Sequence, residues 1–203
     1  MTKLILIRHG ETEWNKRGMF QGQSDTPLAP AGVHQAHLLA AHFPVIHIDA
    51  IFSSDLSRAR TTAEIIAEKF GLKVHFMPEL REASYGSWEE RSFEELALAH
   101  PAEFKTFFLD PEAFTPEGGE SFVNVQTRAM NAIKSIVRDD ARKTFAVVTH
   151  GGVLRTIIAA VLEIPMRKLW AIKQFNTAVN ILHFNEGSFS IELINSTAHL
   201  GKL

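Results

Sequence analysis

The chain has no cysteine among its 203 residues. That excludes disulfides, a thiol nucleophile and cysteine-held metals, though it does not fix the compartment. It also has no excess of charge. Its 21 Lys and Arg against 23 Asp and Glu leave a net charge of -2, which gives no footprint for nucleic acid or an anionic membrane. No apolar stretch reaches the roughly 18 residues of a membrane span. Met1-Thr2-Lys3-Leu4 leads straight into a strand-like segment without a signal-peptide core, so a cytoplasmic location is expected. No HExxH pattern or acidic cluster argues for a metal, and His34 and His37 share a helix face without a carboxylate partner at ligand spacing. Gly118-Gly119-Glu120 lacks the Lys-Ser/Thr of a P-loop. Neither metal nor cofactor is expected, and no repeat, low-complexity segment or linker interrupts the chain. The rest, 45% hydrophobic and 22% charged, is an ordinary globular composition long enough for one sizeable core.

Strand-like runs recur at residues 4–7, 50–53, 74–76, 145–149, 179–184 and 189–194. Helical patterns lie between them. Ala31 to Phe43 has Pro30 suited to its first turn, and Arg58 to Phe70 has Gly71 at its carboxyl cap. From Ser121 to Val137, residues Phe122, Val125, Ala129, Ile133 and Ile136 share one face. Gly152 to Leu162 forms a last helix, stopped near Pro165. Strands alternating with helices predict a three-layer α/β/α sandwich with a mostly parallel sheet. Asn185-Glu186-Gly187-Ser188 predicts a closing hairpin, hence an antiparallel edge. Residues 78–119 read as a helical cap inserted into a single domain. Terminal strands at such an edge leave a homodimer open without requiring one.

Chemistry concentrates at the strand ends. Leu4-Ile5-Leu6-Ile7 delivers Arg8-His9-Gly10-Glu11-Thr12, and Phe145 to Thr149 delivers His150-Gly151-Gly152. In open α/β sheets the carboxyl ends of the strands are where ligands bind. Neutral imidazole is a competent nucleophile, and a guanidinium grips phosphate through a planar fork. Ser53-Ser54-Asp55-Leu56-Ser57-Arg58 places a second arginine in a first helical turn, and Leu80-Arg81-Glu82 offers a carboxylate. Each piece alone has a bland reading: a surface dipeptide, a solvated helix residue, one charge among many, a tight turn. Their joint occurrence points to histidine-based phosphoryl transfer.

These segments resemble the histidine phosphatase, or phosphoglycerate mutase-like, superfamily over nearly the whole chain. The carrying motifs are Arg8-His9-Gly10-Glu11-Thr12 with Glu13-Trp14-Asn15, the loop Gly22 to Leu28, Ser53 to Ala59 with Thr61-Thr62-Ala63, Leu80-Arg81-Glu82 with Gly86-Ser87-Trp88-Glu89, Gly118 to Ser121, and Val148-Thr149-His150-Gly151. The resemblance implies His9 as the phosphate-accepting nucleophile and Glu82 as proton donor. Arg8, Arg58 and His150 would hold the phosphoryl oxygens, helped by Asn15, Gln21 and the Gly151 amide. Nearby cations should keep His9 neutral, and a backbone carbonyl should hold its other ring nitrogen. Two departures stand out. Glu90 follows Trp88-Glu89 where the family commonly has glycine, and Ala29 stands where it commonly has a threonine cap. Neither is expected to touch the phosphate pocket.

The resemblance is strongest to short bacterial phosphatases of broad specificity and of the α-ribazole type. It implies a metal-independent phosphomonoesterase acting on a small phosphorylated metabolite through phosphohistidine. The alternative is a 2,3-bisphosphoglycerate-dependent mutase, whose members usually carry a longer cap and tail than one ending at Ala198 to Leu203. A non-catalytic phospho-ligand module is the third reading. Phe104, Phe107, Phe108 and Phe114 are expected to pack the cap onto the sheet. Otherwise some would line an apolar leaving-group pocket with Met19, Phe20 or Trp88.

Overall fold

A computed structural model describes residues 1–138 and 142–201, so the last two residues of the carboxyl-terminal tail lie outside the described residues. Strands β1 (Thr2–Arg8), β2 (Ala50–Ser53), β3 (Val74–Phe76), β4 (Thr144–Thr149), β5 (Val179–Asn185) and β6 (Ser188–Ser196) form one sheet in the order β3-β2-β4-β1-β5-β6. The pairs β3/β2, β2/β4 and β4/β1 are parallel, while β1/β5 and β5/β6 are antiparallel. The mostly parallel sheet with an antiparallel edge is the expected one. Leu4 to Ile7 are all fully buried, as an apolar run in a strand covered on both faces requires.

Alternation along the strands builds two cores. Leu4, Leu6 and Val147 face one layer with helices α6 (Phe122–Val137) and α7 (Gly151–Val161). Ile5, Ile7, Ala146 and Val148 face the other, packed by α2 (Pro30–Ala41) and α3 (Ser57–Phe70). Between β3 and α6 run two single-turn 3₁₀ helices and the short helices α4 (Phe93–Ala99) and α5 (Pro101–Leu109); α1 (Glu13–Lys16) comes after β1. The hairpin turns on Glu186 and Gly187, both at positive φ (49° and 84°), which matches the right-handed twist of the strands it joins.

Helix α2 stops two residues short of Phe43, because His42 leaves helical geometry and Phe43 turns onto the Phe70 ring. Its amino cap, Ala29, makes no side-chain hydrogen bond, so the expected loss of a cap is real, worth about 1 kcal/mol. Glu90 takes φ 67°, a left-handed conformation that costs a non-glycine residue roughly 1–2 kcal/mol. Neither Ala29 nor Glu90 lines the cavity at the carboxyl ends of the strands.

Candidate active site

Register makes the site. β1 and β4 are adjacent and parallel with Arg8 opposite Thr149, so Arg8-His9 and His150-Gly151 emerge side by side. The chain leaves β1 toward β2 on the far side of β4, and leaves β4 toward β5 on the far side of β1. The crevice between them is therefore the switch point at which α/β sheets bind ligands. Above it lies a cavity of about 520 Å3 whose walls include Arg8, His9, Asn15, Gln21, Arg58, Glu82 and Gly151.

His9 is 2% exposed. Its Nδ1 lies 2.7 Å from the Gly10 carbonyl oxygen. A carbonyl only accepts, so Nδ1 carries the proton and Nε2 keeps its lone pair. Burial first, then Arg58 and Arg8, hold the ring's pKa well below its ordinary value. The imidazole is neutral and has a free nitrogen in a cationic pocket.

Arg58 is 1% exposed and donates to the carbonyls of Gly22 (2.7 Å) and Ser24 (2.9 Å) and to His150 Nδ1 (3.2 Å). Five N–H groups are available to a guanidinium, so two remain. Arg8 donates from Nη1 to the Gln174 carbonyl at 2.6 Å, and its Nε is buried without a partner. Burial lowers both arginines to about 10, which leaves them charged at neutral pH. Asn15 accepts at Oδ1 from the Thr12 amide (3.1 Å) and from Asn176 (3.1 Å), and Gln21 accepts at Oε1 from the Thr12 hydroxyl (3.0 Å). With both amide oxygens satisfied, each NH2 is left for an anion.

Glu82 is brought to the same cavity from the loop after β3. Its carboxylate accepts from its neighbour's amide, Ala83, and from the Gly152 amide, each at 3.0 Å. Thr149 ties the loop to β4 by donating to the Leu80 carbonyl at 2.7 Å. Arg128 of α6 clamps it from behind, donating to the carbonyls of Glu79, Arg81 and Glu82 (2.8, 2.7 and 3.0 Å) and pairing with Glu120.

His150 stands back from the cavity wall. His150 is fully buried and does not line the cavity. Its Nδ1 accepts from Arg58 and its Nε2 meets the Ser54 hydroxyl at 2.8 Å, so both ring nitrogens are engaged by protein. Its place is beneath Arg58 and beside His9, with ring centroids 5.1 Å apart. Of the cap aromatics, Phe107 and Phe108 line the cavity with Met19 and Phe20, whereas Phe104, Phe114 and Trp88 pack behind them.

Sequence reading missed Tyr85 and Arg155. Tyr85, the chain's one tyrosine, lines the cavity with its phenol held neutral by burial and by Glu82. Arg155 stands one helical turn beyond Gly151 on α7, and that i, i+4 spacing was the available signal. Glu89 was seen only as a motif letter. Its carboxylate accepts from the amides of Gln23, Ser24 and Tyr85, which shapes the loop that receives Arg58. Among the described residues, no three His, Cys, Asp or Glu side chains gather as a metal site, and no helix is long and apolar enough to cross a membrane.

A neutral histidine between arginines, at the switch point of an α/β sheet and faced by a carboxyl group, is an arrangement suited to phosphoryl transfer. The model of the histidine phosphatase superfamily, branch 1, matches residues 4–197, and the chain belongs to that superfamily. Phosphoserine phosphatase 1 of Hydrogenobacter thermophilus is 34% identical over 202 residues, covering 100% of this chain and 96% of its own. The adenosylcobalamin/alpha-ribazole phosphatase of Salmonella typhimurium is 32% identical, covering 97% of each. The solved structure of YhfR from Bacillus stearothermophilus superposes with a TM-score of 0.94 at 34% identity, over 98% of this chain and 100% of that one. The protein is a phosphatase of this superfamily.

Proposed function

We propose that the protein hydrolyses small phosphate monoesters through a phosphohistidine, without a metal. The observation that carries this reading is the His9 Nδ1 contact with the Gly10 carbonyl, which leaves Nε2 with its lone pair on a residue that lines the cavity together with Arg8 and Arg58. His9 Nε2 attacks phosphorus and the ester P–O bond breaks. Glu82 gives its proton to the departing alkoxide. Glu82, now a carboxylate, takes a proton from water, whose oxygen attacks the phosphohistidine; phosphate leaves and His9 Nε2 regains its lone pair. Arg8, Arg58, Asn15, Gln21 and the amino end of α7 at Gly151 hold the phosphoryl oxygens, a task of positioning and charge stabilisation. His150 acts through Arg58, whose Nε it receives.

Phosphate release from 4-nitrophenyl phosphate in excess EDTA, with wild type beside His9→Ala, tests the reading. Turnover in wild type and its loss in the variant are expected. Turnover surviving in His9→Ala removes the nucleophile assignment. Isomerised phosphoglycerate in place of free phosphate points to a mutase instead.

A further inference from the structure

The two arginines assigned to the phosphoryl group are held very differently. Arg58 is fixed by three acceptors, the Gly22 and Ser24 carbonyls and His150 Nδ1. Among the described residues the Arg8 guanidinium makes one hydrogen bond to protein, from Nη1 to the Gln174 carbonyl at 2.6 Å, and its Nε is buried without a partner. Besides burial, the positive charges of Arg155 and Arg58 act on it, and like charges push one another apart. The aim of Arg8 therefore depends on where the Gln174 carbonyl stands.

That carbonyl lies in irregular chain. Residues 173–178 join the 3₁₀ segment Met166–Ala171 to β5 without helix or strand. What holds Gln174 is its own side chain, 3% exposed. Its Nε2 donates to Asn180 Oδ1 and its Oε1 accepts from Asn180 Nδ2, each at 2.9 Å. Asn180 is fully buried in β5, directly opposite Leu6 of β1 and so beside the strand that ends in Arg8. Its Nδ2 also donates to the Leu6 carbonyl at 3.3 Å, and its Oδ1 also accepts from the Asn195 amide at 2.8 Å. Two donors and two acceptors fill the amide, so it cannot turn over without stranding a partner. Asn195 reaches back, its Oδ1 accepting from the Phe175 amide at 2.8 Å. It takes φ 56° where the β5/β6 register shifts between Val179 and Ile181, and an irregularity of that kind re-aims a side chain. A buried network with every member satisfied fixes one arrangement. Neither Gln174 nor Asn180 lines the cavity.

We propose that the Gln174–Asn180 amide pair is a positioning device for Arg8: β5 and β6 hold the Gln174 carbonyl in place, and that carbonyl aims the guanidinium at the phosphoryl oxygens. Both residues act through Arg8 and touch no substrate. This rests on the phosphatase reading of the same site. The same stretch of chain meets the His9 carbonyl through Asn176 Nδ2 and the Thr177 amide, both at 3.2 Å, which is the other route by which it could act.

Gln174→Met keeps the length of the side chain and removes both bonds to Asn180. Losing the aim of a charge-assisted contact predicts kcat/KM for 4-nitrophenyl phosphate about tenfold or more lower, and affinity for inorganic phosphate, measured by calorimetry, weaker by a similar factor. The deciding measurement is a double-mutant cycle with Arg8→Met on both readouts. There the Gln174→Met loss shrinks to less than about twofold, because the group it aims is gone. An equal loss in both backgrounds assigns the pair to His9 or to the fold at large and overturns the proposal, as does wild-type phosphate affinity in Gln174→Met. Asn195→Gly keeps the positive φ and removes only the oxygen that receives the Phe175 amide. It should lose about threefold, again only while Arg8 is present; it decides the matter where Gln174→Met does not fold, and no loss there overturns the proposal. Wild type that turns over no ester defeats the phosphatase reading alone, and the phosphate-affinity cycle still decides the amide pair.

Discussion

Gly152→Ala puts one methyl group against the proposed proton donor and touches no charge. Gly152 is the second residue of α7 and its backbone is not left-handed, so alanine fits the chain and improves helix propensity by up to about 1 kcal/mol. The new methyl would overlap Glu82 Oε1 and lie 3.2 Å from the carboxyl carbon. The carboxyl group must therefore retreat by roughly half to one ångström, the scale of a van der Waals overlap. Retreat also stretches the 3.0 Å bond from the Gly152 amide that aims the group. A misplacement of that size costs on the order of 10²-fold in rate, within the roughly 10²–10⁴-fold that a proton donor supplies. Alkyl esters, whose alkoxide needs the proton, should lose about 10²-fold in kcat/KM. Aryl phosphates, whose phenolate leaves unaided, should lose less than about fivefold. The assay is phosphate release from both ester types, with Tm recorded beside it. Equal losses on both, or no loss on either, refute the argument; a Tm drop of more than a few degrees would show that the methyl disturbs the fold instead.

Two further perturbations test the frame around the site. Burial and neighbouring arginines hold His9 and His150 neutral, well below the ordinary histidine value, and burial lowers the half-buried His199 as well. The unfolded chain binds protons below about pH 6.5 that the folded chain refuses, so this stability is complete above 6.5 and lost as pH falls, by up to about 1.4 kcal/mol per pH unit for each of the two site rings. Scanning calorimetry should show Tm falling by roughly 5–10 °C from pH 6 to pH 5, before the lowered carboxylates Asp55 and Glu120 take protons; a flat Tm over that step rejects neutral buried rings. Arg128→Met removes the clamp on the Glu82 loop and strands Glu120, which should cost about 2–4 kcal/mol in urea unfolding. A loss under about 1 kcal/mol, or additivity with Glu120→Gln in a double-mutant cycle, rejects a coupled clamp.

The legible parts of this protein are those in which local pattern and tertiary role coincide. A central parallel strand is buried on both faces, so Leu4 to Ile7 had to read as an unbroken apolar run, and the residues after such a strand in a layered sheet stand at its ligand-binding end. His9, Arg8, Arg58, Asn15, Gln21, Glu82 and Gly151 all reach one cavity for that reason. The hidden parts are side chains whose direction is set by a distant segment. His150 comes after its strand as expected, yet its ring is turned under Arg58 because Ser54, 96 residues earlier, receives its far nitrogen. Arg128 sits beside the apolar stripe of α6 and reads as a solvated helix cation; its partners are carbonyls 46 to 49 residues upstream, invisible to any periodicity. Arg155 has the same disguise on α7. It is drawn inward by the absent side chain of Gly151, the Ile172 carbonyl and the Trp170 ring, which come together only once the chain has folded past α7. Chemistry at strand ends is thus written locally, whereas the groups that brace it depend on packing between layers.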